Sequence, residues 1–147
     1  MSYTQIYYQI VFRTKYNIKA IPEEHCQELY KYMWGIIEST KSKLYRINGV
    51  ADHIHIFCDL HPSIALADFV KRVKTGSSLW MKQTTYFPLF KGWVEGYGAF
   101  TYSIRERDMI INYVKKQKRH HNVETSGDEF KRLLMENGIE FDETYLP

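Results

Sequence analysis

Cysteine is scarce in this chain of 147 residues, which contains only two, Cys26 and Cys58. They lie far apart and in no spacing typical of a metal-binding cluster, and the cross-linked framework of a small secreted domain needs more of them. Cys58 follows a hydrophobic strand pattern and is predicted to be a buried thiol. The sequence therefore argues against a disulfide scaffold.

Long apolar runs are also missing. No stretch approaches the roughly 20 residues that a membrane-spanning helix needs. Residues 1–5 have neither the charged nor the apolar part of a secretory signal. We therefore predict no membrane association and a cytoplasmic protein.

A strong excess of one charge is absent too, since 20 Lys and Arg face 17 Asp and Glu, a net charge of +3. This balance permits nucleic-acid binding without requiring it. Basic residues do cluster at 71–74 and 115–119, and each cluster alone would also suit a solvated helix face. With 44% apolar residues, the chain is predicted to be one folded domain over residues 1–147.

The predicted elements follow the order β-α-β-β-α-β, with helices added at the C-terminus. Strands are predicted at 3–13, 43–50, 50–58 and 98–103. Four helices are predicted: the first at 22–42, the second after an N-cap at Ser63, the third at 106–120, and the fourth from a capping box at Ser126 to Gly138. This order is typical of an α+β, ferredoxin-like or RRM-like antiparallel sheet. The C-terminal helices and tail are predicted from about residue 104. Because this fold supports many functions, side chains must decide between them.

His53 and His55 are the first informative pair, within the predicted buried strand. Successive side chains of a strand alternate between its faces, so both imidazoles point one way and Ile54 and Ile56 point the other. Two imidazoles about 7 Å apart along a strand can hold one divalent metal. Buried or surface histidines without metal are the commoner outcome for such a pair.

Tyr113 and Gln117 lie one helical turn apart on the predicted third helix and share a face. A tyrosine hydroxyl can attack a phosphodiester and hold it covalently, although its ordinary pKa of about 10 calls for assistance. A metal at His53 and His55 could polarise the phosphate, with the Gln117 amide oxygen as a third ligand. Two histidines and an amide suit Mn²⁺ better than Mg²⁺.

At this point the chain resembles the insertion-sequence-200/605 type of single-tyrosine, His-hydrophobic-His transposases. The resemblance runs along nearly the whole chain, through residues 8–16 (YQIVFRTKY), 52–55 (DHIH), 69–78 (FVKRVKTGSS), 93–97 (WVEGY), 113–121 (YVKKQKRHH), 129–130 (EF) and 138–142 (GIEFD). The His-x-His alone is a weak signal, whereas the ordered set is strong.

The resemblance implies an enzyme that cuts and rejoins single-stranded DNA at hairpin-bearing ends of a mobile element. Tyr113 would form a 5′-phosphotyrosine, and His53, His55 and Gln117 would hold Mg²⁺ or Mn²⁺. The protein would act as a homodimer with shared active sites. DNA contacts are expected from basic residues, namely Arg13, Lys15, Lys71, Arg72, Lys74 and Lys116.

Several alternatives stay open from the sequence. Tyr102, with Glu106 four residues later, is a rival nucleophile beside a possible metal ligand. His120 and His121 form a second pair whose adjacent helical positions favour DNA-facing or solvated side chains. A domesticated relative could bind hairpin DNA or RNA without cutting it, and an unrelated ferredoxin-like protein could bind Zn²⁺ structurally, although too few ligands are evident.

Overall fold

The protein, described here as a computed structural model over residues 2–120 and 123–146, forms one four-stranded antiparallel sheet. The strands are β1 (Tyr7–Arg13), β2 (Lys43–Val50), β3 (His53–Asp59) and β4 (Gly98–Tyr102), and their order in the sheet is β2-β3-β1-β4. The helices are α1 (Cys26–Ser39), α2 (Leu66–Gln83), α3 (Arg107–Lys115), α4 (Gln117–His120) and α5 (Ser126–Glu136). The predicted ferredoxin-like α+β fold is confirmed.

One face of the sheet carries the main hydrophobic core. Ile54, Ile56 and Cys58 of β3 point to this face and are fully buried. The apolar stripes of α1 and α2 cover them, with Leu29, Met33, Ile37, Phe69, Val70, Val73 and Met81 in one cluster. Both cysteines are free thiols, and Cys58 is buried in this core, as predicted. Burial raises the pKa of the Cys58 thiol to about 12.

The opposite face is covered by α3, α4 and α5. Two smaller apolar clusters attach these helices, one around Phe57 and Val114 and the other around Phe100 and Leu133. Gly98 permits the close approach of α5, because a Cβ there would lie 2.7 Å from a ring carbon of Phe130. Between the clusters the sheet presents polar side chains.

The β2–β3 hairpin turns at Ala51 and Asp52, and Asn48-Gly49 lies within β2 rather than starting the turn. A glycine is needed at position 49, since a Cβ there would lie 2.2 Å from the carbonyl oxygen of His53. This close pairing sets the register that places His55 opposite Asn48 on one side and Val11 on the other.

Some predicted boundaries differ from the structure. The first strand begins at Tyr7, and the second helix begins at Leu66 with Ala65 as its N-cap, because the Ser63 hydroxyl contacts His61 instead. The predicted third helix is interrupted at Lys116. There the side chain of Asn48 donates to the Lys115 carbonyl at 3.0 Å, which ends the ladder of α3.

The last helix does begin at Ser126, but its cap was predicted wrongly. Thr125 is the N-cap, and its hydroxyl accepts a hydrogen bond from the backbone of Asp128. Glu129, predicted to close a capping box with Ser126, has its carboxylate inside the molecule instead. Among the residues described, no helix combines the length and the apolar character needed to cross a membrane.

Candidate functional site

The two histidines of β3 lie on the polar face of the sheet, both buried, with ring centroids 5.1 Å apart. Their Nε2 atoms approach the same oxygen, Oε1 of Glu129, at 3.3 Å for His53 and 3.0 Å for His55. The structure therefore has the predicted alternation of side chains along β3, with both imidazoles on one face and directed at the same carboxylate oxygen.

The other ring nitrogens are held by neighbouring polar groups. Nδ1 of His53 lies 2.8 Å from a carboxylate oxygen of Asp52 and 3.1 Å from the hydroxyl of Ser126. Nδ1 of His55 lies 3.1 Å from the amide nitrogen of Gln9. Such partners fix the orientation of an imidazole and direct its other nitrogen toward a metal position.

In this network His53 lies between two carboxylates, those of Asp52 and Glu129. Burial by itself lowers the pKa of His53, but hydrogen bonds to Asp52 and Glu129 outweigh it and raise that pKa above its usual value. Burial raises the pKa of Asp52, and the hydrogen bond and charge of His53 more than reverse this, leaving it below the usual value. Positive charge on His53 is therefore stabilised by the two neighbouring carboxylates, those of Asp52 and Glu129.

Glu129 was not predicted as a site residue, although it is central to the arrangement. It is 1% exposed, and one of its oxygens together with one nitrogen from each of His53 and His55 lie within 4.8 Å of one another. Two imidazoles and a carboxylate are a donor set that fits a divalent transition metal or Mg²⁺. A sequence signal did exist: Glu129 shares the apolar face of α5 with Leu133, where an unpaired carboxylate would be costly.

Tyr113 and Gln117 reach the same carboxylate from α3 and α4. The Tyr113 hydroxyl donates a hydrogen bond to Oε2 of Glu129, and the Gln117 amide donates to that oxygen at 2.9 Å. Nη2 of Arg132 donates to the Tyr113 hydroxyl at 2.7 Å. Burial, followed by the contact with Glu129, raises the pKa of Tyr113, and Arg132 opposes that rise. The four predicted site residues are thus brought together within one chain.

The rival residues lie beside this cluster. The hydroxyl of Tyr102 donates to Gln9 at 2.9 Å, so Tyr102 reaches the histidines through that amide. Glu106 accepts from the backbone of Ser103 at 3.1 Å in a capping box. His121 and the side chain of His120 lie outside the described part of the chain.

The predicted DNA-contacting residues occupy different surroundings. Arg13 is buried and donates to Asn17 and to the Ser126 carbonyl, which ties β1 to the start of α5. Lys74 is half-buried and donates to the carbonyls of Val94 and Gly96 at 2.6 and 2.8 Å. The remaining four are exposed: Lys15, Lys71, Arg72 and Lys116. Lys71 and Arg72 lie on α2, across the sheet from the histidines.

Two solved structures share this fold. One is described as a transposase from Deinococcus radiodurans R1, with 23% identity, a TM-score of 0.59, and coverage of 79% of this chain and 93% of that one. The other is a REP-associated tyrosine transposase bound to a REP hairpin, with 8% identity, a TM-score of 0.59, and coverage of 79% and 68%. At these identities the likeness concerns the fold alone.

Sequence comparison assigns the family. The comparison with curated proteins gave no match. The sequence model of a family described as "Transposase IS200 like" matches residues 2–117, which include β1 to β4, both histidines, Tyr113 and Gln117. Because this match spans most of the chain, the protein belongs to the IS200-like transposases.

Proposed function

We propose that the protein nicks and rejoins single-stranded DNA in a metal-dependent reaction, with Tyr113 as the nucleophile. One observation carries this proposal: the Tyr113 hydroxyl and the Nε2 atoms of His53 and His55 all converge on the carboxylate of Glu129. A nucleophile and a metal-ligand set that share one carboxylate are placed to act on the same phosphate.

The reaction is a balanced exchange of phosphodiester bonds. The Tyr113 hydroxyl gives up its proton and its oxygen forms a bond to phosphorus, the bond from phosphorus to the 3′ oxygen breaks, and the leaving 3′ oxygen takes up one proton. The product is a 5′-phosphotyrosine and a free 3′-hydroxyl. When that hydroxyl, or another, attacks the phosphotyrosine, the strand is rejoined and no nucleotide triphosphate is required.

His53, His55 and Glu129 would hold the metal, and Gln117 would add its amide oxygen after a turn of the side-chain amide, whose nitrogen now faces Glu129. A bound divalent ion supplies charge stabilisation at the phosphate oxygens. The mixed nitrogen and oxygen donors favour Mn²⁺ over Mg²⁺. Asp52 and Gln9 keep the two imidazoles oriented.

The DNA partner is proposed to be single-stranded DNA with hairpins at element ends, in keeping with the hairpin-bound relative. Lys15, Lys71, Arg72 and Lys116 are exposed and available for phosphate contacts. Arg13 and Lys74 would first need to give up their hydrogen bonds to backbone carbonyls of the protein.

We propose that residues 1–147 act as one transposase domain. The homodimer with shared active sites stays a prediction, and the residues of this site meet within one chain.

The test is covalent capture. Wild type, Tyr113→Phe and the matched control Tyr102→Phe are incubated with hairpin-bearing single-stranded oligonucleotides from the flanks of the gene, with Mn²⁺ or Mg²⁺. A denaturing gel then reports protein–DNA adducts. We expect an adduct in wild type and in Tyr102→Phe that EDTA abolishes, and none in Tyr113→Phe.

Two results would overturn the assignment. An adduct that persists in Tyr113→Phe and disappears in Tyr102→Phe would identify Tyr102, at the end of β4, as the nucleophile. Tight hairpin binding that survives EDTA, with no adduct under any metal, would identify a non-cutting hairpin-binding protein of the same fold.

A further inference from the structure

Arg132 contacts the proposed nucleophile directly and was not among the residues predicted from sequence. It lies on α5, three positions after Glu129, so both side chains reach the same part of the site. Nη2 of Arg132 lies 2.7 Å from the Tyr113 oxygen, and its guanidinium carbon lies 5.5 Å from the Tyr113 ring centroid.

The guanidinium is held in place by two further carboxylates. Nε of Arg132 donates to Glu124 at 3.1 Å, and Nη2 donates to the other oxygen of Glu124 at 3.1 Å. Nη1 donates to Glu136 at 3.1 Å. Every nitrogen of the planar fork therefore has a partner, which sets the direction of the bond to Tyr113.

The contact with Tyr113 borders open space. Tyr113 and Arg132 both line a cleft of about 340 Å³ between the sheet and helices α3 and α5, and Gln9 and Tyr102 also line it. The Arg132 side chain is 32% exposed. The cation is thus positioned beside the nucleophile, where a DNA backbone can approach.

Glu129 and Arg132 act on the Tyr113 oxygen in opposite ways. The carboxylate of Glu129 accepts a hydrogen bond from the Tyr113 hydroxyl and disfavours negative charge on the oxygen. The guanidinium of Arg132 only donates, so its hydrogen bond strengthens as the oxygen becomes negative. In rejoining, the bond from phosphorus to the Tyr113 oxygen breaks and the electron pair stays on that oxygen.

We propose that Arg132 is a further catalytic residue, which orients the Tyr113 oxygen and stabilises the negative charge on it when the tyrosine leaves. This inference rests on the proposed function. It assigns to α5 a second role beside that of Glu129, namely control of the nucleophile and leaving group.

The experiment compares Arg132→Gln and Arg132→Lys with wild type in single-turnover nicking and in rejoining from purified adduct. Loss of one donor to a developing oxyanion typically slows a reaction about 100-fold, and we expect that slowing for Arg132→Gln in rejoining. Arg132→Lys keeps the charge without the fork and should fall between. Lys131→Gln is the matched control, because it removes a cation of the same helix that contacts Glu143 in the C-terminal segment, and it should stay within about twofold of wild type.

A second measurement separates chemistry from structure. Replacing Tyr113 by difluorotyrosine, a more acidic phenol, makes the leaving group less dependent on charge stabilisation. The ratio of wild-type to Arg132→Gln rejoining rates should shrink if Arg132 stabilises the phenolate, and stay constant if it only supports packing. This ratio remains decisive when the variants differ in stability.

The inference is overturned if Arg132→Gln rejoins as fast as wild type, or if its defect is unchanged with difluorotyrosine. Absence of adduct in wild type would instead refute the proposed function, so the two failures are distinct. Hairpin binding, measured in parallel, should be retained in Arg132→Gln.

Discussion

The two faces of the sheet are both buried, but they are built from different chemistry. On β3, Ile54 and Ile56 enter an apolar core under α1 and α2, whereas His53 and His55 enter a hydrogen-bonded cluster under α5. Adjacent residues of one strand thus enter two chemically different environments. The apolar face gains stability from area removed from water, with no directional demand.

The polar face must satisfy each buried group with a specific partner. Gln9, His55 and Glu129 are almost fully buried, and each makes hydrogen bonds to another member of the cluster. Leaving one such group without its partner would cost about 1–3 kcal/mol. The comparison teaches that the apolar face needs its volume filled and tolerates exchange only between apolar side chains of similar size, whereas the polar face depends on the identity of each residue.

The largest expected effect is on the apolar face. Ile56→Ala should lower the free energy of unfolding by about 2–5 kcal/mol, because Ile56 is fully buried and the truncation leaves a cavity. Urea unfolding followed by circular dichroism measures this. Leu89→Ala, at a side chain that is 58% exposed, is the control and should cost at most about 0.5 kcal/mol. Equal losses in both variants would contradict the assignment of the core.

On the polar face, Glu129→Gln should weaken Mn²⁺ binding at least about 10-fold, or about 1.4 kcal/mol, because a ligand charge is lost while the shape is kept. Isothermal titration with Mn²⁺ measures this. Asp128→Asn removes an exposed carboxylate from the same helical turn and should leave the affinity unchanged. Unchanged affinity in Glu129→Gln would remove this residue from the ligand set.

The smallest effect concerns the attachment of α5. Thr125→Ala should destabilise the protein by about 1 kcal/mol, because the Thr125 hydroxyl caps the helix through the Asp128 backbone nitrogen. Hydrogen exchange of α5 amides should accelerate while that of α1 stays as in wild type. Uniform acceleration across both helices would show that the two faces do not unfold separately. Thr75→Ala, exposed in the middle of α2, is the control.

Much of this protein was predictable because its signals are local. The alternation of β3 needs only neighbouring residues, and it placed His53 and His55 on one face and the isoleucines on the other. The element order indicated the fold, and the spacing of Tyr113 and Gln117 put them on one side of a helical segment. Ordered motifs along the chain indicated the transposase family, which the match over residues 2–117 supports.

The tertiary structure alone decided what lies between these residues. Glu129 is 74 positions from His55, and its sequence context, Ser126 followed three residues later by an acid, matches a capping box just as well. Whether Glu129 caps α5 or contacts the histidines depends on the packing of α5 against the sheet. A carboxylate that faces two buried imidazoles is stabilised by them, whereas one that faces water is not. Arg132 illustrates the same limit: its contact with Tyr113 exists only because α3 and α5 pack on the same face of the sheet. Local patterns determine which way a side chain points, whereas long-range packing determines what it meets.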